Sequence, residues 1–197
     1  MTSTQSSMEA AVDHQVVARP RHPLLWALAQ GTGIGLVLAL VRYWQPAAFP
    51  WALLTGLTVA AVVVAVVDET TRRIPNTHTA LLLAAGCVLT VQTAVLNGAP
   101  PALTAVAAAA AITAFYGIGA FLNWWGMGDA KLAGTATLLV ATIAGPLAAY
   151  LIPVAILISA ARILIRQLTG QPTKHPHGAA IAAGAILVLL LTVLSGR

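Results

Sequence analysis

Long apolar stretches, separated by a few charged residues, follow one another along most of the chain. A helix needs about 20 largely apolar residues to cross about 30 Å of hydrocarbon, and each stretch is at least close to that length. The pattern therefore predicts a bundle of membrane-spanning helices. The charge-free stretches cover 22–41, 43–67, 74–128, 132–161 and 175–196.

The third and fourth stretches are long, and each is predicted to hold two crossings. The third contains the segment Asn97-Gly98-Ala99-Pro100-Pro101, a turn through which no helix continues. The fourth has Gly145-Pro146 at its centre. A single crossing there would move Arg162, Arg166 and Lys174 to the exterior, against the rule that Lys and Arg accumulate on the cytoplasmic side. We therefore predict a helical hairpin in this stretch.

The predicted fold class is all-α, a polytopic membrane bundle of about seven transmembrane helices. Residues 1–21 are polar and are expected to form a flexible cytoplasmic tail, 22–49 an extra N-terminal span with its exterior loop, and 50–197 the main membrane domain. Gly31 and Gly35 in the first span are spaced for close packing against a neighbouring helix. The predicted spans are 24–41, 50–67, 77–96, 102–122, 130–145, 148–166 and 178–195.

Composition narrows the function classes. Hydrophobic residues make up 59% of the chain and charged residues 8%, whereas a soluble domain averages about 25% charged residues. The net charge of +5 reflects few acids, and no basic cluster is longer than Arg72-Arg73, so we expect no nucleic-acid partner. The single Cys87 excludes an intramolecular disulfide and a CxxC zinc module. His175 and His177 lack carboxylate or Cys partners, so no metal or other cofactor is expected.

Three acidic residues follow the N-terminal tail, namely Asp68, Glu69 and Asp129. A charged side chain at the centre of a membrane helix costs about 2.5 to 3.5 kcal/mol, and those that occur usually face a cavity or a partner. Asp68 ends the second predicted span and Asp129 begins the fifth, and the topology returns both to the same face. Either residue alone could be a solvated interfacial side chain, but nothing in this topology prevents the two carboxylates from meeting.

A pair of carboxylates at one low-dielectric site shares one proton and offers a general base beside a general acid. The ionised member can take a proton from a water that attacks a carbonyl, while the protonated member donates to the developing oxyanion. This is the chemistry that aspartic peptide hydrolysis requires, and Asp68 and Asp129 are candidates for it.

Three segments resemble signatures of the type IV prepilin peptidases, which are membrane aspartic peptidases. DETTRRIPN (68–76) resembles D-x6-P-N, and GMGDAKL (126–132) resembles GxGDxK. PHGAAIAAG (176–184) is similar to the segment that opens the last helix of that family, with His177 where an aromatic residue is common. The resemblance covers 50–195 and implies a six-helix peptidase core preceded by one additional helix.

The resemblance implies an endopeptidase of the cell membrane that removes the basic leader from pilin-like precursors at the cytoplasmic face. It makes Asp68 and Asp129 the catalytic pair. Larger members carry a cytoplasmic domain with paired CxxC zinc motifs, associated with N-methylation, and this chain has one Cys. We therefore expect peptidase activity without methyltransferase activity. The expected partners are pilin-like precursors and membrane lipids, whose anionic head groups would attract the basic leader; the oligomeric state is left open.

Several residues near the pair are candidates for supporting roles. Gly126 and Gly128 allow close backbone approach of a substrate, and they would also serve an ordinary loop-to-helix junction. Lys131 either biases the pair or holds a substrate carbonyl, the alternative being contact with lipid phosphate. Pro75 and Asn76 begin the third span and fix its distance from Asp68.

The charged residues beside Asp68 are candidate substrate contacts. Glu69 could bind a basic leader, and Arg72 and Arg73 could contact the substrate backbone or acidic positions near the cut. Anchoring of the topology explains both arginines completely and is the favoured interpretation. Trp124 and Trp125 suit the aromatic belt at the membrane interface.

Two other function classes stay open at this stage. A proton-coupled transporter would use the two aspartates as a relay, but a relay needs ionisable groups at several depths. A structural membrane subunit of a pilus or secretion assembly platform would tolerate replacement of both aspartates.

Overall fold

The computed structural model describes residues 22–170 and 177–196. The predicted tail 1–21 and the residues His175 and Pro176 lie outside the described residues. Within the described part, the chain forms seven α-helices and one 3-10 helix and contains no strand. The α-helices are α1 (Pro23–Trp44), α2 (Phe49–Thr71), α3 (Asn76–Asn97), α4 (Ala99–Phe121), α5 (Met127–Ala144), α6 (Leu151–Leu168) and α7 (Gly178–Leu194), and the 3-10 helix (Gly145–Tyr150) joins α5 to α6.

The outer surface of the bundle is apolar. Large side chains such as Phe121, which is 84% exposed, project outward, while Leu89, Ile112 and Ile181 are buried between helices. Five helical segments are long and apolar enough to cross a membrane, when Met127–Leu168 is counted as one and the shorter α7 is left aside. Apolar side chains on the outside of a bundle suit hydrocarbon rather than water. The prediction of an all-α polytopic membrane bundle is confirmed.

The segment after α5 reverses the chain. Gly145 ends α5 with φ of 54°, and the 3-10 helix follows it directly. Ser159 in α6 contacts His177 at the start of α7, whereas Gly184, further along α7, lies against Ala155, nearer the start of α6. The two helices are therefore antiparallel, and α7 packs against both α5 and α6. Arg162 of α6 reaches Glu69 near the end of α2, which lies beside the start of α5. Helices α5 and α6 therefore run in opposite directions, as the predicted hairpin requires.

The turn between α3 and α4 is shorter than predicted. Gly98 alone separates the two helices, and its φ of 84° lies in a region that favours glycine. Pro100 falls in the first turn of α4, where no intrahelical N–H partner is lost. The helix therefore begins before the predicted span 102–122.

Helix α1 packs in parallel against α3 through its glycines. A Cβ atom on Gly35 would lie 2.9 Å from the Cβ atom of Val88, and one on Gly31 would collide with the carbonyl oxygen of Leu81. At the other end of the pair, Arg42 donates hydrogen bonds to Thr93 (2.7 Å) and Asn97 (3.1 Å). The close packing predicted for Gly31 and Gly35 is present.

The ends of α2 and α5 that carry the acidic residues lie together. Lys131 in the second turn of α5 reaches Asn76 at the start of α3, and Gly178 at the start of α7 lies against Asp68 near the end of α2. We call this end of the bundle, which carries Asp68, Glu69 and Asp129, the acidic end.

Candidate active site

Asp68 lies in the last turn of α2, on the helix face that is buried. Leu57 and Val64 precede it on this face, so the helix directs the carboxylate into the bundle, where Asp68 is only 5% exposed. Arg72 ends the helix with a left-handed backbone (φ 53°), and its N–H donates to the carbonyl of Asp68 at 2.8 Å. The left-handed turn sends the following chain back toward the bundle.

The carboxylate of Asp68 faces the beginning of α7. The first backbone N–H groups of that helix, at Gly178 and Ala179, face the carboxylate. A Cβ atom on Gly178 would lie 2.6 Å from Oδ2 of Asp68 and 2.8 Å from Cδ1 of Ile74. Within the described residues, Oδ2 is buried and has no hydrogen-bond partner of normal geometry. The approach of α7 to Asp68 therefore requires glycine at position 178.

Asp129 occupies the third position of α5 and is 8% exposed. Its Oδ2 accepts a hydrogen bond of 3.0 Å from the N–H of Gly126, and its own N–H donates to the carbonyl of Gly126, also at 3.0 Å. Both aspartates therefore lie at the N-terminal end of a helix, Asp129 on α5 and Asp68 against α7. The partial positive charge of a helix N-terminus stabilises a carboxylate.

The two aspartates line one cavity at the acidic end. Its volume is about 320 Å³, and the two carboxylates are close enough to interact electrostatically. Every residue that lines this cavity belongs to one of the two segments that carry the aspartates. The remaining lining residues are Arg72, Arg73, Ile74, Gly126, Met127 and Gly128.

The predicted supporting residues lie beside the cavity and contact one another. Nζ of Lys131 donates a hydrogen bond of 2.9 Å to Oδ1 of Asn76, and within the described residues it forms no ion pair with either aspartate. Pro75 is the N-cap of α3, one position before the helix. A Cβ atom on Gly128 would lie 3.2 Å from Cβ of Ile74, so this glycine permits close approach of the chain's own connecting segment.

The predicted substrate contacts divide into two groups. Arg72 and Arg73 are exposed and line the cavity. Glu69 instead points toward α6, where it forms an ion pair with Arg162 and a longer one with Arg166 (3.7 Å). The structure thus brings the arginines to the aspartates and places Glu69 between α2 and α6.

A cluster of aromatic rings lies beside the aspartates, and the sequence did not predict it. The ring of Trp125 stacks on that of His177, and Trp125 Nε1 donates to the carbonyl of Tyr116 at 2.5 Å. Trp124 is 67% exposed and suits the predicted interfacial belt, whereas Trp125 is partly buried against the core. The available sequence signal was Tyr116, a polar aromatic residue in an alanine-rich span.

No group of three His, Cys, Asp or Glu side chains capable of holding a metal occurs in 22–170 or 177–196. The ring nitrogens of His177 face Ser159 and Tyr116. The cavity offers a pair of carboxylates from two different segments, and acid–base hydrolysis requires such an acid beside a base.

Comparisons with known proteins bear on this chemistry. Comparison with curated proteins and comparison with solved structures each found no match. A family model described as the type IV leader peptidase family matches residues 55–165, which include Asp68 and Asp129. Because this match covers more than half of the sequence, the chain belongs to the type IV leader peptidase family.

Proposed function

We propose that the chain is a membrane aspartic endopeptidase that removes the basic leader from pilin-like precursors at the cytoplasmic face of the membrane. Membership of the family implies aspartic peptidase activity in general. The observation that carries the more specific proposal is the cavity shared by Asp68 and Asp129, which are buried and lie on two different helices.

The proposed reaction uses the two carboxylates with one shared proton. The ionised aspartate takes a proton from a water bound in the cavity as that water attacks the scissile carbonyl. The protonated aspartate donates its proton to the oxyanion, which gives a neutral diol. When the C–N bond breaks, the first aspartate gives the water-derived proton to the leaving amine, and the second aspartate regains a proton from a hydroxyl of the diol, so the pair again holds one proton. The N-termini of α5 and α7 stabilise the negative charge of the pair through the cycle.

The position of the cavity suits a precursor with one apolar helix. The cavity lies at the end of the bundle, so a helix held in the bilayer would present the peptide bond that precedes it at this depth. Arg72 and Arg73 line the cavity and are the proposed contacts for substrate carbonyls or acidic positions near the cut. Glu69 could bind a leader only after releasing Arg162 and Arg166.

Membrane lipids are proposed to supply the attraction for the basic leader. The chain offers few acids for it, whereas anionic head groups contribute about 1 kcal/mol per Lys or Arg near the surface. Cleavage in anionic liposomes should therefore rise with leader charge, and cleavage in neutral liposomes should not. Equal responses in the two kinds of liposome would contradict this part of the proposal.

The transporter alternative has less support. Asp68, Glu69 and Asp129, the acidic residues of the described part, all lie at the acidic end. A relay across the membrane needs ionisable groups at several depths.

The test is cleavage of a pilin-like precursor from the same genome, co-expressed with the wild-type chain, with Asp68→Asn or with Asp129→Asn. Asp13→Asn makes the same chemical change in the N-terminal tail and serves as the matched control. We expect trimming by the wild type and the control and none by the two site variants at equal membrane abundance. Normal trimming by either site variant would contradict the dyad mechanism. Tolerance of both substitutions would favour a structural subunit.

A further inference from the structure

Two stacked rings adjoin the backbone groups that face the aspartates. His177 immediately precedes Gly178, whose N–H faces Asp68, and Trp125 immediately precedes Gly126, whose N–H donates to Asp129. The rings of His177 and Trp125 lie with centroids 5.7 Å apart and planes 12° from parallel. The stack therefore connects the two segments that hold the carboxylates.

Both rings are fixed by hydrogen bonds to other helices. Nδ1 of His177 lies 2.5 Å from Oγ of Ser159 in α6, and Nε2 lies 3.2 Å from the hydroxyl of Tyr116 in α4. The indole N–H of Trp125 donates to the carbonyl of Tyr116, which is fully buried. Two hydroxyls and one carbonyl, on α6 and α4, thus fix the planes of the two rings.

The packing around Trp125 leaves it little freedom. Its indole lies against Gly119, where a Cβ atom would collide with the ring. Its ring centroid lies 4.9 Å from that of Tyr116. The ring of Trp125 is therefore held against α4.

We propose that the stacked pair of His177 and Trp125 is a positioning element that sets the separation of the two carboxylates. This inference rests on the proposed function of Asp68 and Asp129. Each ring belongs to the residue directly before a glycine whose N–H faces one of the carboxylates. A change in the stack therefore changes the geometry of the pair. A misplacement of about 1 Å of a catalytic group can cost about 100-fold in rate.

The two contributions of the imidazole can be separated by substitution. Phe at position 177 keeps a flat ring for the stack and loses the hydrogen bonds, whereas Ala loses both. If stacking sets the separation, His177→Phe should retain most of the activity that His177→Ala loses. Aromatic pairs of this kind have a defined geometric preference that an alanine cannot reproduce.

The experiment measures initial cleavage rates of a pilin-like precursor by the purified full chain in liposomes. Rates are normalised to protein that elutes as folded material. The variants are His177→Ala, His177→Phe, Trp125→Ala and the double alanine variant. Trp44→Ala is the matched control. Trp44 also pairs with an aromatic ring, that of Tyr43 (centroids 5.4 Å apart), but it lies at the end of α1 that is far from the acidic end.

We expect kcat to fall roughly 10- to 100-fold in each alanine variant, with KM within about twofold of wild type. The double variant should be no slower than the slower single variant, because both remove the same contact. His177→Phe should stay within about fivefold of wild type, and Trp44→Ala should match wild type. A role confined to folding would lower the yield of folded chain and leave its kcat unchanged.

Three results would overturn the proposal: wild-type kcat in the single alanine variants, effects that multiply in the double variant, or a kcat for His177→Phe as low as that for His177→Ala. Should His177→Ala fail to fold, Trp125→Ala removes the other ring of the stack, and wild-type kcat in that variant would contradict the proposal. A wild-type chain that does not trim the precursor, or an Asp68→Asn chain that does, marks failure of the proposed function instead.

Discussion

Nζ of Lys131 donates a hydrogen bond of 2.9 Å to Oδ1 of Asn76. Lys131 lies two residues after Asp129, and Asn76 is the first residue of α3, at the end of the segment that begins with Asp68. The bond therefore connects the two segments that line the cavity, beside the contact of Gly128 with Ile74.

We expect Lys131→Met and Asn76→Ala each to lower kcat/KM about 3- to 10-fold. A hydrogen bond to a charged group contributes about 1.5 to 3 kcal/mol, and this bond should contribute less because it is exposed. The double variant should resemble the single variants, since either change removes the same bond. Thr104→Ala, in the first turns of α4 at the other end of the bundle, is the control. Effects that multiply in the double variant would assign Lys131 a separate role at the pair.

Gly178→Ala tests the approach of α7 to Asp68. The added Cβ atom would lie 2.6 Å from Oδ2, so either the carboxylate or the start of α7 must shift. We expect kcat/KM to fall at least about tenfold. Gly117→Ala, in α4, introduces the same methyl group where no atom lies within 4 Å, and it should behave as wild type. Equal activities of the two variants would show that the observed approach is not needed for cleavage.

The glycines of α1 give a stability prediction. A side chain at Gly31 or Gly35 would collide with α3, and overpacking of this kind typically costs about 1 to 3 kcal/mol. Gly31→Leu and Gly35→Leu should therefore lower the thermal unfolding midpoint in detergent. Gly33 lies between them with open space around it, so Gly33→Leu should leave the midpoint unchanged. A similar decrease in all three variants would point to helix propensity or lipid contact as the cause.

The ion pair of Glu69 predicts its effect on substrate binding. Arg162 and Arg166 contact the two carboxylate oxygens, and the pair is partly exposed, so its contribution to stability should be about 1 kcal/mol or less. We expect Glu69→Gln to change kcat/KM by less than about threefold and by the same factor for basic and neutral leaders. A selective rise in KM for basic leaders would instead establish Glu69 as a leader contact.

The spans and the meeting of the two aspartates could be anticipated because both depend on strong local signals. Hydrocarbon tolerates few charges, so Asp68 and Asp129 stand out in an apolar chain, and the distribution of basic residues sets the parity of the crossings. The position of Gly178 was also marked, since it falls in the third motif. The sequence did not indicate that this glycine lies against Asp68.

The pairings between distant segments could not be anticipated. The contacts of His177 with Ser159 and Tyr116, and of Glu69 with Arg162, depend on the rotation of each helix about its axis. In a span that is apolar on all sides, the sequence pattern does not define which face points inward. Trp125 illustrates the difficulty, because its neighbour Trp124 is the same type of residue and yet lies on the surface.

The left-handed backbone of Arg72 implies a trade-off between durability and turnover. A non-glycine residue in this conformation costs of the order of 1 kcal/mol, which glycine would recover. Arg72→Gly should therefore raise the resistance of the chain to heat while removing a guanidinium from the cavity that holds the aspartates. A variant that survives longer and cleaves more slowly would identify the strained residue as one kept for catalysis at the expense of robustness.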